Sequence, residues 1–230
     1  MPPHGWRARY GFALAYLMCF AVTDLVYVLL TPAAQTTLLA WASTSVANLE
    51  HEPVIPLVLS ALLAPGYSWA WPVLIALAVL GANRALGSAR AALVCVAGHV
   101  IGTLVSEGIV AYRVHVGSLP PVDRVLVDVG PSYVVVAAIA AAFLAGSWAI
   151  RVVAVLDFAA LVFGGDIFDG LSHLDVAAVG HLTALVTGLV ITAALLAAAY
   201  RAATSAGGVT DGQADQVGDG GGASPEYELP

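Results

Sequence analysis

The chain has few charged residues and no lysine at all. Charged side chains make up 10% of its 230 residues, and eight arginines stand against fifteen acids, which leaves a net charge of −7. A soluble domain carries about 25% charged residues, so this composition excludes an ordinary soluble globular protein. Proteins that bind nucleic acids need a basic surface, so the shortage of positive charge argues against that class too.

Cysteine is equally scarce. Cys19 and Cys95 are the two cysteines of the chain, and they lie in different apolar segments. They provide neither a disulfide framework nor the spacing of a structural metal site. Glu50, His51 and Glu52 are adjacent and therefore point to different sides of the chain. The sequence also has no glycine-rich phosphate loop, so no cofactor and no metal are expected.

Apolar residues dominate instead, at 60% of the chain, with a mean hydropathy of +0.90. A helix needs about 20 mostly apolar residues to cross a bilayer. An apolar run at 53–65 is too short to do so and is predicted to be re-entrant or interfacial. The sequence predicts an all-α integral membrane domain over residues 1–202 and a disordered Gly- and Asp-rich tail at 203–230. Its six predicted spans cover about residues 11–31, 69–83, 91–112, 125–148, 150–164 and 176–200.

The placement of arginine predicts the orientation in the membrane. With a cytoplasmic N-terminus, six arginines fall on the inner side, namely Arg7, Arg9, Arg84, Arg90, Arg151 and Arg201. Arg113 and Arg124 then fall on the outer side. Because cytoplasmic loops carry the excess of positive charge, both termini are predicted to lie in the cytoplasm. The predicted location is the cell membrane, with several spans.

Two polar residues lie inside apolar segments at a common predicted depth. Ser132 is six residues from Leu126, where the fourth predicted span enters from outside, and His181 is five residues from Val176, where the sixth enters. The helical rise places these side chains ~9 Å and ~8 Å below the same membrane face. Polar groups at such depth indicate a functional site. A serine and a histidine are also the minimum pair for an activated nucleophile.

Small residues flank both positions. Gly180, Ala184 and Gly188 recur at every fourth position of the sixth predicted span. Small residues at this spacing let helix backbones approach closely in a membrane. Gly130 serves the same purpose in the fourth span, and the proline after it removes a backbone donor and loosens the predicted helix. The two helices are therefore predicted to touch near the serine and the histidine.

These motifs resemble those of the rhomboid family of intramembrane serine proteases. Gly130-Pro131-Ser132 matches the first three positions of the family's Gly-x-Ser-Gly motif, and His181-x-x-Ala184-x-x-x-Gly188 is similar to its His-x-x-Gly-x-x-x-Gly. The resemblance covers about residues 10–200 and implies a six-transmembrane-helix rhomboid-like bundle. It also implies a Ser132/His181 dyad that hydrolyses peptide bonds of transmembrane protein substrates without a cofactor.

The chain departs from the family pattern in two places, as a divergent rhomboid-like branch would. Tyr133 stands where the family has the second glycine of the serine motif. The family's second span also supplies a His and an Asn to the oxyanion, whereas this chain has only Asn83, at the cytoplasmic end of that span. One oxyanion donor is worth about 10²–10³ in rate. An active protease and an inactive rhomboid-fold protein that binds transmembrane helices are therefore both open alternatives.

Other polar residues within the spans suggest further roles. Asp24 and Glu107 are predicted in the outer third of the first and third spans, where they would keep the site wet or orient His181. Together with His99 and Asp157, they would instead form a proton or ion route in a small transporter or channel subunit. The expected partners are the lipid bilayer and other transmembrane proteins.

Overall fold

The computed structural model describes residues 4–65 and 70–214, and every regular element in those ranges is helical. This confirms the all-α prediction. The α-helices of these ranges are α1 (His4–Leu29), α2 (Pro32–Ala42), α3 (Val46–His51), α4 (Val54–Ser60), α5 (Ala70–Leu86), α6 (Ser88–His115), α7 (Ser132–Ala145), α8 (Trp148–Gly164) and α9 (Val176–Ala214). Short 3-10 helices at Pro121–Val125 and Leu171–His173 precede α7 and α9.

Among the described residues, three helical stretches are long and apolar enough to cross a membrane: Tyr10–Leu29, Ser88–His115 and Val176–Ser205. Helices α5 and α7 are apolar but have only 17 and 14 residues. At about 1.5 Å per residue, α7 is ~21 Å long, which is less than the ~30 Å core of a bilayer. A count of six spans therefore stays a prediction, with α1 and α5 to α9 as its helices.

The short helix α7 is the core of the first compact unit, residues 1–193. Every residue from Tyr133 to Ala142 is buried, and α7 packs against α5, α6 and α8. A helix that is apolar on all sides is expected in such a position. Protein rather than lipid surrounds α7. The stretch of chain that leads into this helix can therefore lack helical structure even within a membrane.

The start of α7 corrects the predicted fourth span, which began at about residue 125. The structure begins the helix at Ser132, with Pro131 as the residue that precedes its first turn. Residues 126–130 carry no regular structure. Ser132 therefore lies at the N-terminus of a helix and not six residues inside it, and Pro131 precedes the helix instead of loosening it.

Residues 126–130 form the approach to α7, and hydrogen bonds from distant parts of the chain hold them in place. The Thr44 N–H donates to the Asp128 carbonyl over 3.0 Å, and the Gly130 N–H donates to the Ser60 carbonyl over 3.1 Å. Thr44 follows α2, and Ser60 ends α4. The segment between α1 and α5 thus positions the first residues of the central helix.

The segment at 53–65, which the sequence predicts to be re-entrant or interfacial, contains α4 and packs against α1. The Tyr16 hydroxyl donates to the Ala61 carbonyl over 2.6 Å, and the Thr23 hydroxyl donates to the Leu62 carbonyl over the same distance. These bonds satisfy carbonyls that follow the short helix. Such partners are required wherever backbone leaves a helix inside a membrane.

Helix α9 begins in the first unit, and its residues from 194 onward belong to the second, residues 194–230. In the second unit the helix continues to Ala214, so it extends into the tail predicted at 203–230. Residues 215–230 lie outside the described ranges, as does residue 69 at the start of the predicted second span. The boundary between the membrane domain and the tail therefore stays a prediction.

Candidate functional site

Tyr133 is the residue of α7 that stacks on His181. Its ring meets the imidazole edge-on, with 5.1 Å between ring centroids and 82° between the planes. Its hydroxyl lies 3.3 Å from the Asp128 carboxylate and 3.3 Å from the Val176 carbonyl, either of which can accept its proton. Tyr133 is 3% exposed. One side chain thus joins the central helix to the chain before it and to the start of α9.

The small residues of α9 make room for this ring and for neighbouring helices. A Cβ added at Gly180 would overlap the hydroxyl end of Tyr133. Ala184 is fully buried, and a Cβ added at Gly102 on α6 would lie 3.5 Å from its Cβ. A Cβ added at Gly188 would lie 2.9 Å from the Ala137 carbonyl oxygen on α7. The structure therefore places all three small residues at close approaches between helices.

His181 is held in one tautomer. Its Nδ1 lies 2.7 Å from the Ile167 carbonyl oxygen, which can only accept a hydrogen bond. Nδ1 therefore carries the proton, and Nε2 keeps its lone pair. Within the described chain, this buried Nε2 has no hydrogen-bond partner. Helix α9 begins at Val176, where the sequence predicted the sixth span to enter.

Ser132 is half-buried at the first position of α7. No hydrogen bond joins it to His181 among the residues that the structure describes, since Nε2 is unpartnered and Nδ1 is used by Ile167. Ser132 is the first residue of α7, and the first N–H groups of a helix have no partner within that helix. The predicted catalytic roles of Ser132 and His181 stay a prediction.

Hydroxyl residues that follow α2 form a polar layer against Tyr133 and the approach to α7. The Ser43 hydroxyl accepts from the Asp128 N–H over 2.9 Å, and the Thr44 hydroxyl donates to the Asp128 carboxylate over 3.2 Å. The Asp128 carboxylate is therefore within hydrogen-bond reach of two hydroxyl groups, those of Thr44 and Tyr133. The sequence reasoning missed this layer. The three consecutive hydroxyl residues at 43–45, between apolar segments, were the available signal.

The two acids predicted to support the site lie in different environments. Glu107 on α6 is 5% exposed, and it interacts with the Val46 backbone and with Asp128, so it borders the polar layer. Asp24 on α1 is 7% exposed and borders a separate cavity of about 490 Å³. The described lining of that cavity consists of α1 side chains and Pro72, and it includes neither Ser132 nor His181.

The four residues of the transporter alternative form no continuous relay within the described ranges. His99 is bonded to the Leu57 carbonyl, over 2.9 Å, and to the Ser60 hydroxyl. Asp157 is 3% exposed, and neither of its carboxylate oxygens has a described partner. No hydrogen bond links Asp24, His99, Glu107 and Asp157 to one another there. Nor do the described residues contain a cluster of three His, Cys, Asp or Glu side chains that could hold a metal ion.

Comparison with known proteins shows which family this chain belongs to. A family described as rhomboid-like protein matches residues 8–200, a range that includes Ser132, Tyr133 and His181. No curated protein and no solved structure matches the chain. The family match covers most of the sequence and every helix that contributes to the site. The chain therefore belongs to the family of rhomboid-like proteins.

Proposed function

We propose that this protein is a rhomboid-fold membrane protein that binds transmembrane helices of other membrane proteins without cleaving them. The observation that carries the proposal is the environment of His181. Its Nδ1 is bonded to the Ile167 carbonyl, Tyr133 is stacked on its ring, and its Nε2 has no described partner. A serine becomes a nucleophile when a base is hydrogen-bonded to it. The observed arrangement lacks that contact and favours binding.

The side chains available to stabilise an oxyanion beside Ser132 support the same proposal. Helix α5 contains no histidine, and its one asparagine is Asn83. The Asn83 side chain accepts a hydrogen bond from the Ala13 N–H over 3.1 Å and one from the Ser88 hydroxyl over 3.4 Å. Asn83 thus joins α5 to α1 and to the start of α6. Its role is in helix packing, which leaves the oxyanion without the side chains that rhomboid proteases use.

A cleft between α5 and α8 suits a helix from another protein. It encloses about 450 Å³ and is lined by Trp71 and Leu74 from α5 and by Ala160, Gly164 and Gly165 at the end of α8. Small residues let helices approach closely in lipid, where packing rather than water drives association. A Cβ added at Gly164 would meet no atom within 4 Å, so the cleft has unfilled space at that point.

Asp157 adds a polar feature one turn from this cleft. It shares a face of α8 with Leu161, which lines the cleft, at a spacing of four residues. Its carboxylate is buried and has no described partner. An unpaired acid is costly within a membrane. Because both oxygens are closed to solvent and Asp157 is not part of the lining, it is a buried structural group beside the cleft and not a contact for the partner helix.

We infer that both termini lie in the cytoplasm and that the protein resides in the cell membrane. The arginines support this orientation, because Arg84 and Arg90 flank the junction of α5 and α6, and Arg151 lies in the first turn of α8. Arg113 and Arg124 lie at the opposite end, between α6 and α7 or close to it. An excess of arginine on one side marks the cytoplasmic face. The lipid bilayer and other membrane proteins are its proposed partners.

Labelling by a fluorophosphonate tests the absence of an activated serine. We expect wild-type protein in membranes to be labelled no more than Ser132→Ala, because Ser132 has no base hydrogen-bonded to it. Gel fluorescence at matched protein amounts measures the labelling, with a known serine hydrolase as the positive control. Labelling that is lost in both Ser132→Ala and His181→Ala would overturn the proposal and identify a hydrolase.

Intramembrane proteolysis is the second candidate, and two observations favour it. The bond from His181 to Ile167 leaves Nε2 with the lone pair that a general base needs. Ser132 starts α7, whose first N–H groups have no partner within the helix and could hold an oxyanion. In that reaction His181 would take the Ser132 proton, Ser132 would attack the carbonyl, and His181 would protonate the leaving amine. Substrate binding would have to bring the two side chains together.

Crosslinking at the cleft tests the binding of helices. A photoreactive benzoylphenylalanine replaces Val73, which lines the cleft on α5 and is 48% exposed. We expect it to form adducts with membrane proteins, and we expect Gly164→Leu to reduce them about tenfold by filling the cleft. Gly108→Leu is the matched control, because Gly108 on α6 also has open space around it. Equal adduct yields in the two leucine variants, or no adduct at all, would contradict the proposed site.

A further inference from the structure

A groove of about 490 Å³ runs along one face of α1, beside Pro72 of α5. We call this the α1 groove. Its described lining on α1 consists of six side chains that recur at spacings of three and four residues along the helix, namely Leu17, Phe20, Ala21, Asp24, Leu25 and Val28. Residues at this spacing share one face of a helix, and the helical rise makes the stripe ~17 Å long. Such a stripe is typical of a surface that packs against another helix.

Asp24 places a carboxylate in the middle of this stripe. The side chain is 7% exposed, and no hydrogen bond reaches either of its oxygens from the residues that the structure describes. Oδ1 is closed to solvent, whereas Oδ2 is not and opens into the groove. An acid in apolar surroundings is unfavourable without a partner. A group that enters the groove can provide that partner at Oδ2.

The chain offers no cation of its own to Asp24. It contains no lysine, and Arg9, the nearer of the two arginines on α1, lies fifteen residues away, or ~22 Å along the helix. No basic side chain pairs with Asp24 in the described part of the chain. Within that part, the lining also lacks a second acid, an imidazole or a thiol that could share a metal ion. The groove therefore fits an organic cation from another molecule.

The depth of Asp24 favours a basic side chain over the amine of a lipid headgroup. The candidate span in α1 ends at Leu29, five residues after Asp24, so the carboxylate lies ~8 Å inside that end. Headgroup amines stay in the polar layer outside the hydrocarbon core. The long apolar stem of a lysine or arginine lies comfortably among hydrocarbon chains and carries its charge to an acid on a neighbouring helix.

We propose that the α1 groove binds a transmembrane helix of another protein that carries one lysine or arginine, and that this residue pairs with Asp24. The rest of the partner helix packs on Leu25 and Val28, and the small side chain of Ala21 lets the two backbones approach closely. The α1 groove and the α5–α8 cleft have no described lining residue in common. The groove is therefore a second surface, and it does not depend on helix binding at the cleft.

Synthetic transmembrane peptides test the proposal on the full-length protein in phosphatidylcholine nanodiscs. Each peptide is a leucine–alanine helix of about 22 residues with tryptophan anchors and a diazirine beside one variable position at the depth of Asp24. That position holds lysine or norleucine, which has the carbon chain of lysine without the amine. Mass spectrometry maps and quantifies the adducts on α1. We expect the lysine peptide to half-saturate at about a tenfold lower peptide-to-lipid ratio than the norleucine peptide.

Replacement of the acid tests the ion pair. Asp24→Asn should bring the two half-saturating ratios together, because it removes the charge and keeps the shape of the side chain. Asp157→Asn is the matched control, since Asp157 is also buried without a described partner but lies outside the groove and has both oxygens closed to solvent. It should leave the preference for lysine unchanged.

Two valines on α1 separate the groove from general contact with the helix. Val28 lines the groove and is 47% exposed, so Val28→Trp should fill it and abolish the adducts. Val26 is 50% exposed and lies outside the lining, so Val26→Trp should leave them unchanged. Gly164→Leu, which fills the α5–α8 cleft, should also leave the adducts on α1 unchanged. Failure at one surface can therefore be told from failure at the other.

Three results would overturn the proposal. Equal half-saturation by the lysine and norleucine peptides in the wild type would show nonspecific helix contact only. Wild-type adduct yields in Val28→Trp would show that the peptides bind elsewhere, and both results can be read even if Asp24→Asn does not fold. Loss of the lysine preference in nanodiscs that contain phosphatidylethanolamine would assign the groove to a lipid amine.

Discussion

Replacement of Tyr133 by alanine is expected to lower the free energy of unfolding by about 3–5 kcal/mol, the range for loss of a buried aromatic ring. Tyr133 is 3% exposed and its ring stacks on His181. It also fills the space over Gly180, and its hydroxyl reaches the Asp128 carboxylate. Because these contacts involve three separate parts of the chain, the cavity left by alanine cannot easily close. Unfolding by titration with sodium dodecyl sulfate in mixed micelles measures the loss.

Tyr133→Phe is the matched control for this experiment. It keeps the ring and removes only the hydroxyl, whose one proton can be donated to Asp128 or to Val176 and which also bonds to Ser106. One hydrogen bond contributes about 0.5–1.5 kcal/mol, so the phenylalanine variant should lose much less stability than the alanine variant. If the two variants lost the same free energy of unfolding, the hydroxyl's bonds to the polar layer, and not the ring, would make the main contribution to stability. That result would show that the stacked ring does not hold α7 against α9.

Gly98→Ala is expected to destabilise the protein by about 1–3 kcal/mol, the cost of excess volume in a packed core. A Cβ at this position of α6 would overlap the Ala137 Cβ on α7, and it would also lie 3.6 Å from the Ala184 carbonyl oxygen on α9. Ala137 Cβ is fixed to the backbone and cannot rotate away. Helices α6 and α7 would have to separate, and the same micelle titration measures the effect.

Two further variants make this prediction specific. Gly108→Ala, on the same helix, meets no atom within 4 Å and should be neutral or slightly stabilising, since alanine favours helix over glycine. Ala137→Gly removes the group that Gly98→Ala would strike, so the double variant should recover part of the loss. Strictly additive effects of Gly98→Ala and Ala137→Gly would show that the two positions are not in contact.

Local sequence properties were enough to predict the class of protein. The shortage of charge and the apolar segments predicted an all-α membrane protein, and the helical structure and the family match over residues 8–200 confirm this. The start of α9 at Val176 also follows the prediction. Segment length, apolar content and polar ends are properties of neighbouring residues, so the sequence displays them directly.

The approach to α7 could not be predicted in this way. Gly130 and Pro131 lie in an apolar stretch that suggests one continuous span from about residue 125. The structure instead begins the helix at Ser132, because the residues before it bond to Thr44 and Ser60, which lie far earlier in the chain. No local pattern carries the information that those groups will meet. The polar layer around Asp128 was missed for the same reason.

The sequence by itself determined that Ser132 and His181 belong to helices that meet through small residues. Only the tertiary structure decided that Tyr133, the next residue, stacks on the imidazole. Successive residues of a helix point ~100° apart, so a change in where α7 begins changes which side chain faces α9. That starting point depends on hydrogen bonds from the segment between α2 and α5 and on the space left by Gly180. Both are contacts between distant residues, and they exist only once the chain has folded.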